Sequence, residues 1–265
     1  MSESSLVEAL VRRDRLVMAL ALALMTLLAW AYLLSGAGMN MDMSMGDMAM
    51  PMVMAWTPGY ALVVFLMWWI MMIAMMLPSA APMILIFGTV NRKTAAAGKP
   101  YVPTAIFLAG YLLVWAAFSL AATLAQYLLE SAGLMSPAMA TTHRVTGGVL
   151  LLAAGIYQMT PLKHACLRHC RGPISFITQH WRPGHRGALR MGIVHGAFCV
   201  GCCWVVMGLL FYGGVMNLAW IVGLTLLVLL EKLVPPGHWI GSLSGVVFLA
   251  WGAWLLLGGG PAPTA

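Results

Sequence analysis

Charge is what this chain most conspicuously lacks. Only 8% of its 265 residues are charged and 62% are hydrophobic, against about 25% and about 45–50% in soluble domains. A soluble globular class is therefore excluded, and the expected solvent is lipid. Asp and Glu together number seven, which leaves no local supply of the six to eight or so oxygens that a calcium cage wants. No glycine-rich phosphate-binding motif is present, so nothing in the chain announces a nucleotide as energy source. Short alternating strands are missing as well. With the backbone needing internal hydrogen bonds in hydrocarbon, long unbroken apolar runs select helices over a barrel.

What is present reads as an all-α, polytopic transmembrane bundle of about seven helices. The expected spans are Leu16–Leu34, Tyr60–Phe87, Pro103–Leu129, Val145–Thr160, Met191–Tyr212, Met216–Leu230 and Ile240–Leu257, the fourth and sixth being the shortest. A cleaved signal peptide competes for the first run, but about nineteen residues is nearer a full span. Residues 1–15 form a cytoplasmic lead, 16–257 one integral membrane domain, and 258–265 an external tail. Within the domain, 35–59 is an external methionine-rich loop and 161–190 a cytoplasmic cysteine- and histidine-rich loop. With Met1 inside, thirteen of the fourteen basic residues face the cytoplasm and only Arg144 lies outside. The formal charge of +7 is thus topology at a bacterial inner membrane, N-terminus in and C-terminus out, and no argument for nucleic acid.

The chain is organised around Met191 to Trp204, MGIVHGAFCVGCCW. Helical spacing sets Cys199, Cys202, Cys203 and His195 along one stripe. Cysteine alone is at home in an apolar interior. Three in five positions, with an imidazole beside them and glycines 192, 196 and 201 that let a neighbouring helix approach, point to a soft-metal or redox site. Met71, Met75 and Met76 of the second span fall at overlapping depth in the inner half, and the stripe they share with Met67 and Met72 is sulfur-lined. Pro78 and Pro82 are expected to break or kink the end of that helix.

Two further stretches carry ligand chemistry. From Met39 to Met54 the chain holds eight methionines in sixteen residues, Met41, Met43, Met45 and Met48 among them. Thioethers bind soft Cu(I) and not hard ions, so copper is the expected cargo and zinc stands second. In the cytoplasmic loop, Cys166 and Cys170 are flanked by His164 and His169, although no standard zinc spacing is matched. Reducing cytosol disfavours a structural disulfide there. Glu231 and Lys232 precede two prolines; Glu231 is a candidate ligand or proton acceptor, and Lys232 reads equally as an interfacial side chain that snorkels. Gln126 and Glu130, with His143 and Arg144, read as interfacial capping.

These strings carry a resemblance. MMIAMMLPSAAPM, GIYQMTPLKHACLRHCRGP and HGAFCVGCCWVVMGLLFYGGVMNLAW followed by EKLVPPG resemble a family described as predicted metal-binding integral membrane proteins, catalogued as domain of unknown function family 2182. The resemblance covers roughly residues 60 to 255. It implies motif positions at Met75, Met76, Gln158, Lys163, Cys166, Cys170, Cys199, Cys202, Cys203, Glu231 and Lys232, and it implies no settled activity. The expected function is Cu(I) acquisition, transfer or delivery through external methionines and buried cysteines, a ligand exchange rather than bond-making catalysis. The expected partners are the lipid bilayer and a periplasmic copper-binding protein or a membrane complex. The alternatives are a membrane thiol-disulfide oxidoreductase and an assembly or anchoring subunit of a larger complex.

Overall fold

A computed structural model describes residues 3–36, 56–96, 102–136, 139–235 and 237–259. Among the described residues the chain is an all-α bundle of ten helical segments: α1 (Glu3–Leu34), α2 (Pro58–Ala96), α3 (Thr104–Ser131), α4 (Arg144–Gln158), α5 (Pro161–Arg171), α6 (Pro173–His180), α7 (Gly184–Gly208), α8 (Leu210–Gly213), α9 (Leu218–Leu233) and α10 (Gly237–Leu256). The seven expected spans correspond to α1, α2, α3, α4, α7, α9 and α10. Five helical stretches are long and apolar enough to cross a membrane: Arg15–Leu34, Pro58–Thr94, Thr104–Ser131, Gly184–Gly213 and Trp239–Leu256. α4 passes the same test only together with α5, across a bend of 64°, and α9 has 16 residues. The methionines at 41, 43, 45 and 48 lie outside the described residues.

Two expectations about local structure change. Pro78 and Pro82 sit inside α2, which runs on through them to Ala96. Pro78 is half-buried and Pro82 exposed, and the nearby Met76 carbonyl accepts from both Ser79 Oγ at 2.8 Å and Tyr111 Oη at 3.3 Å. The stretch 161–190, expected as a loop, is largely helical. Thr160 caps α5, its hydroxyl accepting from the Lys163 amide at 3.3 Å, and Pro161 occupies the first turn, where its missing N–H costs nothing. Pro173 begins α6 in the same way. Burial of Lys163 and Leu167 then holds α5 against the bundle, and its main neighbour is α7.

α7 is the axis of the assembly because glycine lets it come close to its neighbours. A Cβ on Gly192 would stand 2.0 Å from the Phe107 carbonyl oxygen of α3, and one on Gly110 would stand 2.3 Å from the Leu189 oxygen of α7. The two backbones are therefore in direct contact, the small-residue packing on which helix association in lipid depends. Gly201 serves α5 instead: a Cβ there would lie 2.8 Å from Cys166 Sγ. On the other side α4 pairs with α10, and α9 fills the space between α10 and α2.

Toward the opposite end of α2 the polar residues of α3 are built in rather than left as caps. Gln126 is fully buried; its oxygen accepts from Trp68 Nε1 and its nitrogen donates to Glu130, both at 2.8 Å. Glu130 in turn accepts from Trp56 Nε1 at 2.8 Å. Each buried polar atom in this row is thereby satisfied by a neighbour.

Candidate metal centre

Five helices deliver side chains to one point. α7 contributes Cys199, Cys202 and Cys203, at most 1% exposed, one turn of helix placing all three sulfurs on the inward arc. α2 contributes Met76 and Ser79, α3 Tyr111, α9 Lys232, and α5 Cys170. Cys203 Sγ lies 3.9 Å from Met76 Sδ, and Tyr111 Oη lies 3.2 Å from Cys199 Sγ. Cys170, half-buried on α5, lies close enough to Cys199 and Cys202 to interact with them electrostatically. Cys202 and Cys203 turn their thiols toward the Cys199 carbonyl at 3.1 and 3.0 Å, the usual way in which a helical cysteine satisfies its S–H.

Lys232 closes the group. Its ammonium donates to Cys199 Sγ at 3.0 Å and to Ser79 Oγ at 3.2 Å, and points at Met76 Sδ at 3.9 Å. Three N–H bonds thus have three acceptors. The lysine is 5% exposed, so it reaches inward to the sulfurs and does not snorkel to the interface. A buried ammonium is costly unless its N–H bonds find acceptors, and Cys199, Ser79 and Met76 supply them.

Glu231, the residue before it, faces another way and makes a second buried cluster. Lys163 Nζ of α5 donates to Glu231 Oε2 at 2.6 Å, with side-chain exposures of 0% and 2%. Gln158 Nε2 of α4 donates to Glu231 Oε1 at 2.8 Å and to Ser244 Oγ of α10 at 2.7 Å. Both carboxylate oxygens are thus engaged. Consecutive residues at the end of α9 hold the cysteine group on one side and the α4–α5 bend on the other.

The remaining candidates separate into near and far. Met71 and Met75 are buried in the core of α2, but of the three methionines it is Met76 whose sulfur meets the cysteines. Cys166 is half-buried and rests against Gly201. His169 stacks on Phe198 with ring centroids 4.0 Å apart, and His164 is half-buried on the same helix. His195 sits one turn before Cys199 among the rings of Phe107, Tyr111 and Phe176, and its Nδ1 has no hydrogen-bond partner among the described residues.

The donor chemistry is soft: thiols from two helices and one thioether. Among the described residues no group of three or more His, Cys, Asp or Glu side chains is arranged to hold a metal ion. Cys202 and Cys203 direct their thiols at the Cys199 carbonyl, and Cys199 Sγ accepts from Lys232. Met76 adds a donor of a type outside that set.

A family model described as PpoB2, copper chaperone, matches residues 65–255. The chain belongs to this family. The matched range contains every side chain of the sulfur group and of the Glu231 cluster, and it begins after the methionine-rich stretch. No curated protein and no solved structure matches the chain. Membership in a copper chaperone family agrees with the copper expected from the softness of the ligands. Ser79 and Tyr111 were not legible as site residues, since an isolated serine or tyrosine in an apolar helix has no periodic signal. From its spacing and chemistry Lys232 was legible only as a charge at a helix end, and the resemblance alone marked it as a motif position.

Proposed function

We propose that this copper chaperone family member is a multi-pass protein of the bacterial inner membrane that holds Cu(I) as cargo on the buried sulfurs of Cys199, Cys202, Cys203 and Met76, with half-buried Cys170 beside them. The observation that carries the reading is the convergence of three buried cysteines of α7 with the Met76 thioether of α2 and the Lys232 ammonium of α9, with half-buried Cys170 of α5 beside them. Thiolates and thioethers prefer Cu(I) over harder or divalent ions. In hydrocarbon a thiolate must be neutralised by a proton, a metal or a fixed cation, and Lys232 supplies the fixed cation. Cu(I) binding would displace thiol protons, exchanging one neutralising partner for another. The methionines of residues 35–59 would collect Cu(I) on the external side, the orientation following from the thirteen-to-one split of basic residues. A periplasmic copper-binding protein is the matching donor or acceptor there.

The test is elemental analysis of protein purified in mild detergent after exposure to Cu(I) under reducing conditions. Wild type should retain copper in fixed stoichiometry, and a variant with Cys199, Cys202 and Cys203 all changed to serine should lose it while remaining folded. Retention of the wild-type stoichiometry by that variant would reduce the central cysteines to packing.

A further inference from the structure

Cys199, Cys202 and Cys203 are at most 1% exposed, yet a chaperone must give its cargo up. We propose that His195 and Met191 form a transfer path for Cu(I) between the buried cysteines and a solvent-facing cavity at the start of α7. The proposal rests on the reading above, that the cysteines hold Cu(I), and adds how the ion leaves or enters.

Met191, His195 and Cys199 recur at every fourth residue of α7, so each donor stands one turn, a rise of about 6 Å, from the next. All three are buried, at 1%, 2% and 1% exposure. Tyr111 spans the first gap: its hydroxyl lies 3.2 Å from Cys199 Sγ, and its ring stacks beside His195 with centroids 5.9 Å apart. Met191 lies at the other end of the row, where its sulfur accepts the Arg182 amide at 3.4 Å. Beyond it is a cavity of about 80 Å³ lined by His180, Arg182, Arg190, Met191 and Val194, whose two arginines are exposed.

Nδ1 of His195 is the decisive atom. It is buried without a hydrogen-bond partner among the described residues, and leaving a buried polar atom unpaired is costly. Phenylalanine would fill the same aromatic enclosure without that cost, so packing alone does not account for an imidazole here. An unprotonated ring nitrogen is a metal donor, and it is the one side chain in position to bridge thiolate and thioether. A fully satisfied ligand would trap the ion; a single nitrogen flanked by single sulfurs binds weakly enough to pass it on. The arginines at the mouth disfavour a bare cation, so the ion leaves by exchange onto an anionic, ligand-bearing acceptor.

The experiment follows transfer of Cu(I) from loaded, detergent-purified protein to the anionic chelator bicinchoninate by stopped-flow absorbance, with bound copper at the start measured on the same samples. His195→Phe should slow transfer at least tenfold at unchanged initial loading, and Met191→Leu should slow it several-fold. Wild-type rates in both variants overturn the path. Loss of bound copper in His195→Phe also overturns it, because His195 would then belong to the resting site. Should His195→Phe not purify as a monodisperse species, His195→Gln and Met191→Leu carry the same comparison. Absence of copper from wild type would instead sink the functional reading itself, a distinct outcome from altered kinetics.

Discussion

Lys163→Met is the perturbation with the largest effect that the structure allows us to size. Lys163 and Glu231 meet at 2.6 Å with 0% and 2% of their side chains exposed. At an effective dielectric constant of about 20, two unit charges at that separation attract by about 6 kcal/mol. Desolvation opposes most of this in the intact pair, but the single variant leaves the carboxylate buried without its partner, which costs about 3–5 kcal/mol. Gln158 still donates to Oε1, so the lower half of that range is expected. Unfolding by denaturing detergent, followed through the eleven tryptophans, measures it. Glu231→Leu should cost a similar amount, and the double variant should recover at least half of the summed loss, because replacing both charges with apolar groups removes the unpaired ion. A loss below about 1 kcal/mol in both single variants would refute the argument from a buried pair. So would strict additivity, since two charges in contact must couple.

Other outcomes follow from the same geometry. Gly192→Ala should destabilise the protein by about 1–3 kcal/mol or more, since its Cβ would meet the Phe107 oxygen at 2.0 Å and α3 must move away; thermal unfolding reads this, and an unchanged midpoint contradicts the close crossing. Cys170→Ser should lower bound copper under reducing conditions well below the level left by Cys166→Ser, because Cys170 interacts with both Cys199 and Cys202 whereas Cys166 rests on Gly201; equal losses would remove the distinction. Reporter fusions after Lys99 and after Ala265 should report opposite sides of the membrane, in keeping with seven crossings and the bias of basic residues. A peptide spanning Met39 to Met54 should bind Cu(I) in preference to Zn(II) when measured by competition, and equal affinity would end the softness argument.

The amino-acid sequence by itself determined the helical class, the positions of the long spans, the softness of the ligands and the central place of Cys199, Cys202 and Cys203. These are local or compositional properties: apolar run length, helical spacing and the chemistry of sulfur do not depend on which helix lies next to which. The glycines of α7 were legible too, since a residue without a side chain advertises a close approach. The start of α5 was available in the Thr160-Pro161 pair but was outweighed by the polar, basic composition of that stretch, whose helicity comes from burying Lys163 and Leu167 on the bundle. Tertiary structure alone decided the partners. It turned Lys232 inward to Cys199, set Glu231 against Lys163 and Gln158, chose Met76 from a row of buried methionines, brought Cys170 to the cysteines and left His195 Nδ1 unpaired. Each of these depends on the rotation of one helix against another, which interhelical packing sets and which no spacing within a single helix encodes.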